Sequence, residues 1–180
     1  EQMACGTLEN KADFFRKASF LARLGSGSAS RSVYGGYVLW GITKEIPGSS
    51  DEVALPVEQG VDNVFKDYCD SVLIIQKGEK EKSSTSGHAL MEGHPFTAAR
   101  VMQANYNLRD LLRSLHDGNT NNFTEILENE ALSLHALMLS SSPGFFLFEA
   151  RTLEVIKKIR EYRRETGTEV GFTLDAGANV

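Results

Sequence analysis

Arg31 sits within GSGSASRSVYGG, residues 25–36, among glycine, serine and alanine. A guanidinium offers a fixed fork of N–H donors that matches a carboxylate or a phosphate in pairs. Ser26 and Ser28 would add hydroxyls at short range, and Gly25 and Gly27 let backbone amides come close to a ligand. Residues 28–34 are long enough to start a helix. A loop that feeds a helix N-terminus is an anion site by its dipole and its unpaired donors. The same composition reads equally well as a linker or as tight packing, and no Lys-Ser or Lys-Thr follows at Walker A spacing.

Asp175 is the second candidate, in FTLDAGANV at residues 172–180. A carboxylate at a strand end followed by small residues is a turn former in its bland reading and a catalytic acid or base on a rigid element in its functional one. KSSTSG, residues 82–87, holds Thr85 and neighbouring hydroxyls; it reads as a helix N-cap cluster or as further donors for the same pocket. His88, His94, His116 and His135 lack metal-ligand spacing and read as surface or helix-packing residues. Cys5 and Cys69 form no CxxC pair, so neither a zinc site nor a disulfide framework is indicated.

The elements that must position these groups follow from periodicity. A first helix is expected from an N-cap at Asn10 to Gly25, with Phe14, Ala18, Leu21 and Ala22 inward. Tyr37–Ile42 predicts a strand around Trp40, itself a core residue, and residues 52–57 a short second one. SVLIIQ, residues 71–76, reads as a buried strand. Helices are expected over residues 96–116, with Leu108, Leu111, Leu112 and Leu115 on one face, over 122–139, and over 152–164 with Leu153, Ile156, Ile159 and Tyr162 inward. Residues 169–174 close the chain as a strand. Strands, then helices, then a strand indicate α+β rather than an alternating parallel-sheet protein.

The 180 residues are 41% hydrophobic and 24% charged with a net charge of −5, ordinary values for a soluble globular protein. No long basic block marks a nucleic-acid footprint, and no apolar run reaches a membrane span of ~18 residues. Sparse cysteine and the lack of a visible signal peptide fit a cytoplasmic setting. The chain begins at Glu1 and stops at Val180 after a hydrophobic run, which suggests a piece of a longer protein.

GSGSASRSVYGGYVLW, KSSTSG, SLHALMLSSSPGFFLF and FTLDAGANV, in that order, resemble the mevalonate diphosphate decarboxylase family of the GHMP kinase superfamily. The resemblance runs from near Ala4 to Val180. It implies an α+β, GHMP-kinase-like fold: the end of the N-terminal lobe over residues 1–65, then a helix-rich C-terminal lobe on an antiparallel sheet over 66–180. It implies ATP and Mg²⁺ as cofactors and mevalonate 5-diphosphate as substrate. The tertiary 3-hydroxyl would be phosphorylated, then phosphate and CO₂ expelled to leave isopentenyl diphosphate.

On this resemblance the substrate segment is Ser26, Gly27, Ser28, Ala29, Ser30 and Arg31, with Thr85 as a further contact and Asp175 as the catalytic aspartate. Arg31 would also serve catalysis by orienting the substrate carboxylate. Ser30 stands where the family often has cysteine. The family's phosphate loop, P-x-x-x-G-L-A-S-S-A, is not in this sequence, so the piece alone is expected to bind ATP poorly and not to turn over. A homodimer is implied. The rival readings are a relative acting on mevalonate or its other phosphates, and a non-catalytic dimerisation module.

Overall fold

The computed structural model describes residues 8–57, 60–76 and 91–180. The chain divides into two compact units, residues 1–61 and 62–180. Among the described residues four α-helices and one two-stranded antiparallel sheet form an α+β fold.

In the first unit, α1 (Leu8–Gly25) precedes a four-residue 3-10 turn, Gly27–Ser30. The helix starts before Asn10, and its buried face differs from the expected one. Phe14 and Leu21 are 59% and 64% exposed, whereas Ser19 is fully buried and Phe15, Ala18 and Ala22 are half-buried around it. A one-residue shift turns a helix by about 100°. The inward stripe is therefore small and partly polar, which lets the following loop lie close.

The expected strand over 37–42 shortens to β1 (Val38–Leu39), because Gly41 turns the chain at φ 125°. It pairs antiparallel with β2 (Leu55–Pro56), Val38 opposite Pro56 and Leu39 opposite Leu55. Within the intervening loop, Thr43 N–H donates to Ser49 Oγ and the Ser49 hydroxyl donates back to Thr43 O, both at 2.9 Å. Trp40 Nε1–H reaches Asp51 O at 2.9 Å, which ties the end of β1 to the segment entering β2.

The second unit is built on α2 (Thr97–Asp117), α3 (Thr120–Ser140) and α4 (Ala150–Thr166). Gly118 ends α2 in the left-handed region, φ 68°, and Asn119 Oδ1 caps α3 by accepting from Asn122 N–H at 3.0 Å. So short a connection makes α2 and α3 an antiparallel hairpin. Part of their seam is polar: Arg100 pairs with both carboxylate oxygens of Glu130, and Gln103 donates to Asn129 at 2.9 Å. Elsewhere Phe65, Tyr68 and Phe123 form an aromatic cluster with ring centroids 4.9–5.7 Å apart.

Ala131, Ile156, Phe172 and Leu174 form the core beside α3 and α4, with Leu132, Ile159 and Val180 packed against them. Residues 169–175 alternate as a strand does, Phe172 and Leu174 buried and Thr173 and Asp175 exposed, yet make no ladder among the described residues. Residues 71–76 differ more. Val72, Leu73 and Ile74 are 44–69% exposed, and among the described residues the segment's backbone-to-backbone pairing is Leu73 and Val180 exchanging two bonds, at 2.7 and 3.3 Å. An apolar run does not itself say whether anything covers it. Leu153 and Tyr162, expected inward, are 42% and 52% exposed.

Glu128 is buried between Arg160 and Arg163. Arg163 Nη1 reaches Glu128 Oε1 at 2.7 Å and Val170 O at 2.9 Å, clamping the final segment to α3 and α4. Gly171 is required there, since a Cβ would lie 2.4 Å from Thr124 Cγ2.

Candidate active site

The glycine-serine stretch is neither a linker nor a helix N-terminus. Ser26 O, Ser28 O and Ala29 O accept from the amides of Ala29, Arg31 and Ser32 at 3.0–3.1 Å, giving a 3-10 turn that runs into further turns. So short a turn carries little macrodipole, and these three amides are committed internally. The helix expected over residues 28–34 is corrected to this short 3-10 turn.

Gly27 has a steric reason to be glycine. A Cβ there would lie 2.4 Å from Trp40 Cη2 and 3.0 Å from Cζ3, so the indole packs directly on the turn. Ser30 is fully buried and donates its hydroxyl to Gly27 O at 2.7 Å. Ser19, from α1, donates to Ser30 O at 2.9 Å and accepts from Ala54 N–H at 2.8 Å. One buried hydroxyl thereby joins α1, the turn and the residue that leads into β2.

This scaffold presents the exposed face of the turn. Ser26 and Ser28 hydroxyl oxygens lie 3.4 Å apart. Ser28 and Arg31 line an open cleft of about 370 Å³ with Ser32, Tyr34, Gly36 and Val38. That volume suits a small polyanion. Tyr34 stacks on Phe15 at 5.5 Å, and burial pushes its phenol above the ordinary value, partly offset by Arg16. Tyr34 therefore remains a neutral hydroxyl at physiological pH. Ser32 and Tyr34 were not singled out from the sequence, although both fall in the quoted stretch; the signal was proximity to Arg31.

Asp175 belongs to the second unit and is exposed. Its carbonyl accepts from Gly177 N–H at 2.8 Å and from the buried His135 ring at Nε2, 3.2 Å. Two residues of the turn beyond it are also tied down. Thr152 Oγ1, fully buried, donates to Ala178 O at 2.6 Å, and Asn179 Oδ1 accepts from Ile75 and Gln76 amides at 2.9 and 3.1 Å. Thr85 and the rest of residues 82–87 lie outside the described residues. The cleft thus gathers Ser28 and Arg31 beside Ser26, Ser30 sits beneath them as support, and Asp175 stands on the other unit.

Two family models match the chain. Residues 71–180 match the mevalonate 5-diphosphate decarboxylase C-terminal domain, and residues 3–54 the diphosphomevalonate decarboxylase-like N-terminal domain. The chain belongs to the mevalonate 5-diphosphate decarboxylase family.

Among relatives of this decarboxylase family, the diphosphomevalonate decarboxylase of Debaryomyces hansenii is 28% identical over 90% of this chain and 42% of its own length. The phosphomevalonate decarboxylase of Haloferax volcanii is 26% identical over 91% of this chain and 48% of its own. Among solved structures, a mevalonate diphosphate decarboxylase from Legionella pneumophila superposes with a TM-score of 0.74 at 27% identity, covering 92% of this chain and 48% of that one. MDDEF in complex with MVAPP, AMPPCP and magnesium superposes with a TM-score of 0.73 at 26% identity, covering 92% and 49%. The chain therefore spans under half the length of these family members.

Proposed function

We propose that the full-length protein catalyses ATP-dependent decarboxylation of mevalonate 5-diphosphate to isopentenyl diphosphate, and that this chain supplies part of its substrate site and its catalytic carboxylate. The observation that carries the reading is the cleft of Arg31 with Ser28 and Tyr34, built on a turn held rigid from behind, in a chain matched by an N-terminal and a C-terminal domain model of the decarboxylases.

Arg31 holds the substrate carboxylate through paired charged hydrogen bonds, which aligns the C–C bond that must break. Ser26, Ser28 and Thr85 donate to carboxylate or diphosphate oxygens. Gly27 lets the Trp40 indole pack against the turn, Ala29 adds little bulk, and Ser30 fixes the turn's shape from below. Asp175 orients the 3-hydroxyl and receives its proton as the γ-phosphoryl group of ATP is transferred to that oxygen. The C3–O bond then breaks with loss of phosphate. The electrons of the bond to the carboxylate carbon form the new C=C, and CO₂ leaves.

Magnesium assists phosphoryl transfer by neutralising the charge on the phosphates. Among the described residues no group of three or more carboxylate, histidine or cysteine side chains is placed to hold a metal ion, so these residues do not build a Mg²⁺ site by themselves. No helix among the described residues is long and apolar enough to cross a membrane. The sparse cysteines, without a CxxC pair, support a cytoplasmic enzyme, and the family resemblance supports a homodimer.

The Haloferax volcanii relative supports a second reading, with a monophosphate in place of the diphosphate. The deciding experiment measures ATP-dependent CO₂ release by the full-length protein from mevalonate, its 5-phosphate and its 5-diphosphate. Preference for the 5-diphosphate, lost in Arg31→Met and Asp175→Asn, is expected. Preference for the 5-phosphate selects the second reading, and CO₂ release undiminished in Asp175→Asn overturns the role of that residue.

A further inference from the structure

His135 is buried to 2% exposure within α3, and its ring reaches the backbone of Asp175 itself. A carbonyl oxygen accepts hydrogen bonds and cannot donate them, so the contact at 3.2 Å requires the proton on Nε2. In the neutral ring Nδ1 is then bare, and among the described residues it is buried without a hydrogen-bond partner. An orphaned buried acceptor costs about 1–3 kcal/mol, so the ring needs a compensating reason to sit there. Phe148 holds it flat, the rings 5.3 Å apart at an interplanar angle of 28°.

The reason lies in what the Asp175 turn lacks. Residues 169–175 form no strand ladder among the described residues, and the backbone bond at Asp175 is the local one from Gly177 N–H to its carbonyl, 2.8 Å. Side chains from two helices add longer-range ties. His135 of α3 donates to Asp175 O, and Thr152 of α4 donates to Ala178 O, three residues further on. Of the two, His135 acts on the carboxylate-bearing residue directly.

We propose that His135 is a positioning residue for the reaction: as the neutral, Nε2-protonated ring it pins the Asp175 backbone, setting where the carboxylate meets the substrate hydroxyl. The proposal rests on the catalytic role given to Asp175 above. A misplacement of about 1 Å at a reacting group costs on the order of 100-fold in rate. The loss belongs in kcat, since the orientation matters in the transition state more than in binding.

The test compares His135→Phe, which keeps the aromatic stack and loses the donor, with His135→Gln, which keeps a donor at similar reach. In the full-length protein His135→Phe should lower kcat about 10- to 100-fold with KM for mevalonate diphosphate within about 2-fold, and His135→Gln should recover most of the loss. Unchanged kcat in His135→Phe, a loss confined to KM, or equal defects in both variants overturns the proposal. Nitrogen NMR on the wild-type protein gives an arm independent of turnover. Protonated Nε2 with bare Nδ1, and Gly177 amide exchange that quickens in His135→Phe but not in His135→Gln, support the pin. A proton on Nδ1, or Gly177 exchange indifferent to both substitutions, overturns it. Absent CO₂ release by the wild type would instead count against the decarboxylase reading, leaving the NMR outcome to decide the positioning.

Discussion

Ser19 and Ser30, eleven positions apart, share a buried hydrogen bond of 2.9 Å in which the α1 hydroxyl caps the carbonyl at the end of the Gly27–Ser30 turn. The same Ser19 oxygen accepts from Ala54 N–H, so its removal strands two backbone groups at once. Ser19→Ala should lower stability by about 1–3 kcal/mol, whereas Ser26→Ala, at an exposed hydroxyl, should stay within about 0.5 kcal/mol. Denaturant midpoints for the two variants give the comparison, and equal midpoints would contradict the pivotal place assigned to Ser19.

Gly27→Ala puts a methyl where the Trp40 ring lies, and the indole must move. The expected cost is about 1–3 kcal/mol, as for other overpacked sites. Trp40 is the single tryptophan of the chain, so its fluorescence reports the displacement without interference. An emission spectrum identical to wild type, at unaltered stability, would mean the turn yields instead of the ring.

Arg31→Lys keeps the charge and loses the planar fork. The substitution should cost about 10- to 100-fold in kcat/KM, because a point charge cannot hold a carboxylate in two parallel bonds. Steady-state kinetics at fixed ionic strength checks this. Full activity in the lysine variant would assign the residue a role of charge alone.

Glu128 is 6% exposed at its side chain, and its two partners differ in what else they hold. Arg163 also bonds Val170 O, whereas Arg160 lies over the Phe172 ring with its guanidinium 5.3 Å from the centroid. Glu128→Ala should cost about 2–3 kcal/mol, less than severing a fully buried pair, because the 47% and 31% exposed arginines rehydrate. Arg163→Met should destabilise more than Arg160→Met. The reverse order in thermal unfolding would remove the Val170 contact from the explanation.

Burial pushes the His135 pKa below its ordinary 6.5, with the bond to Asp175 opposing in part. The unfolded chain therefore binds the proton more readily. Stability from this group is complete above about pH 6.5 and falls away as pH drops through the lowered native value. His135→Gln should flatten this part of the profile. A wild-type profile with no slope below about pH 6.5 that the substitution removes would exclude the ring as its source.

Helix existence was legible from apolar spacing and from Gly118 and Gly167, whose left-handed conformations end α2 and α4. The family motifs carried the candidate site. Which face of α1 turns inward was not legible, because its centre is Ser19, a residue that hydropathy places outside. Glu128 and His135 escaped for the same reason: their burial depends on partners in distant sequence, Arg163 and Asp175, not on their own chemistry. The strand expected over 71–76 was read from apolar content, and content does not encode a neighbour.

Asn179 and Ile75 meet across a sequence separation of 104, and Leu73 and Val180 close the same seam. Closing so large a loop is entropically slow, and it follows the packing of the helices that lie between. A species that has folded α2 and α3 alone therefore still lacks the seam that tethers the turn after Asp175. The turn that carries Asp175 is fully tethered only once residues 73–76 and 179–180 have come together.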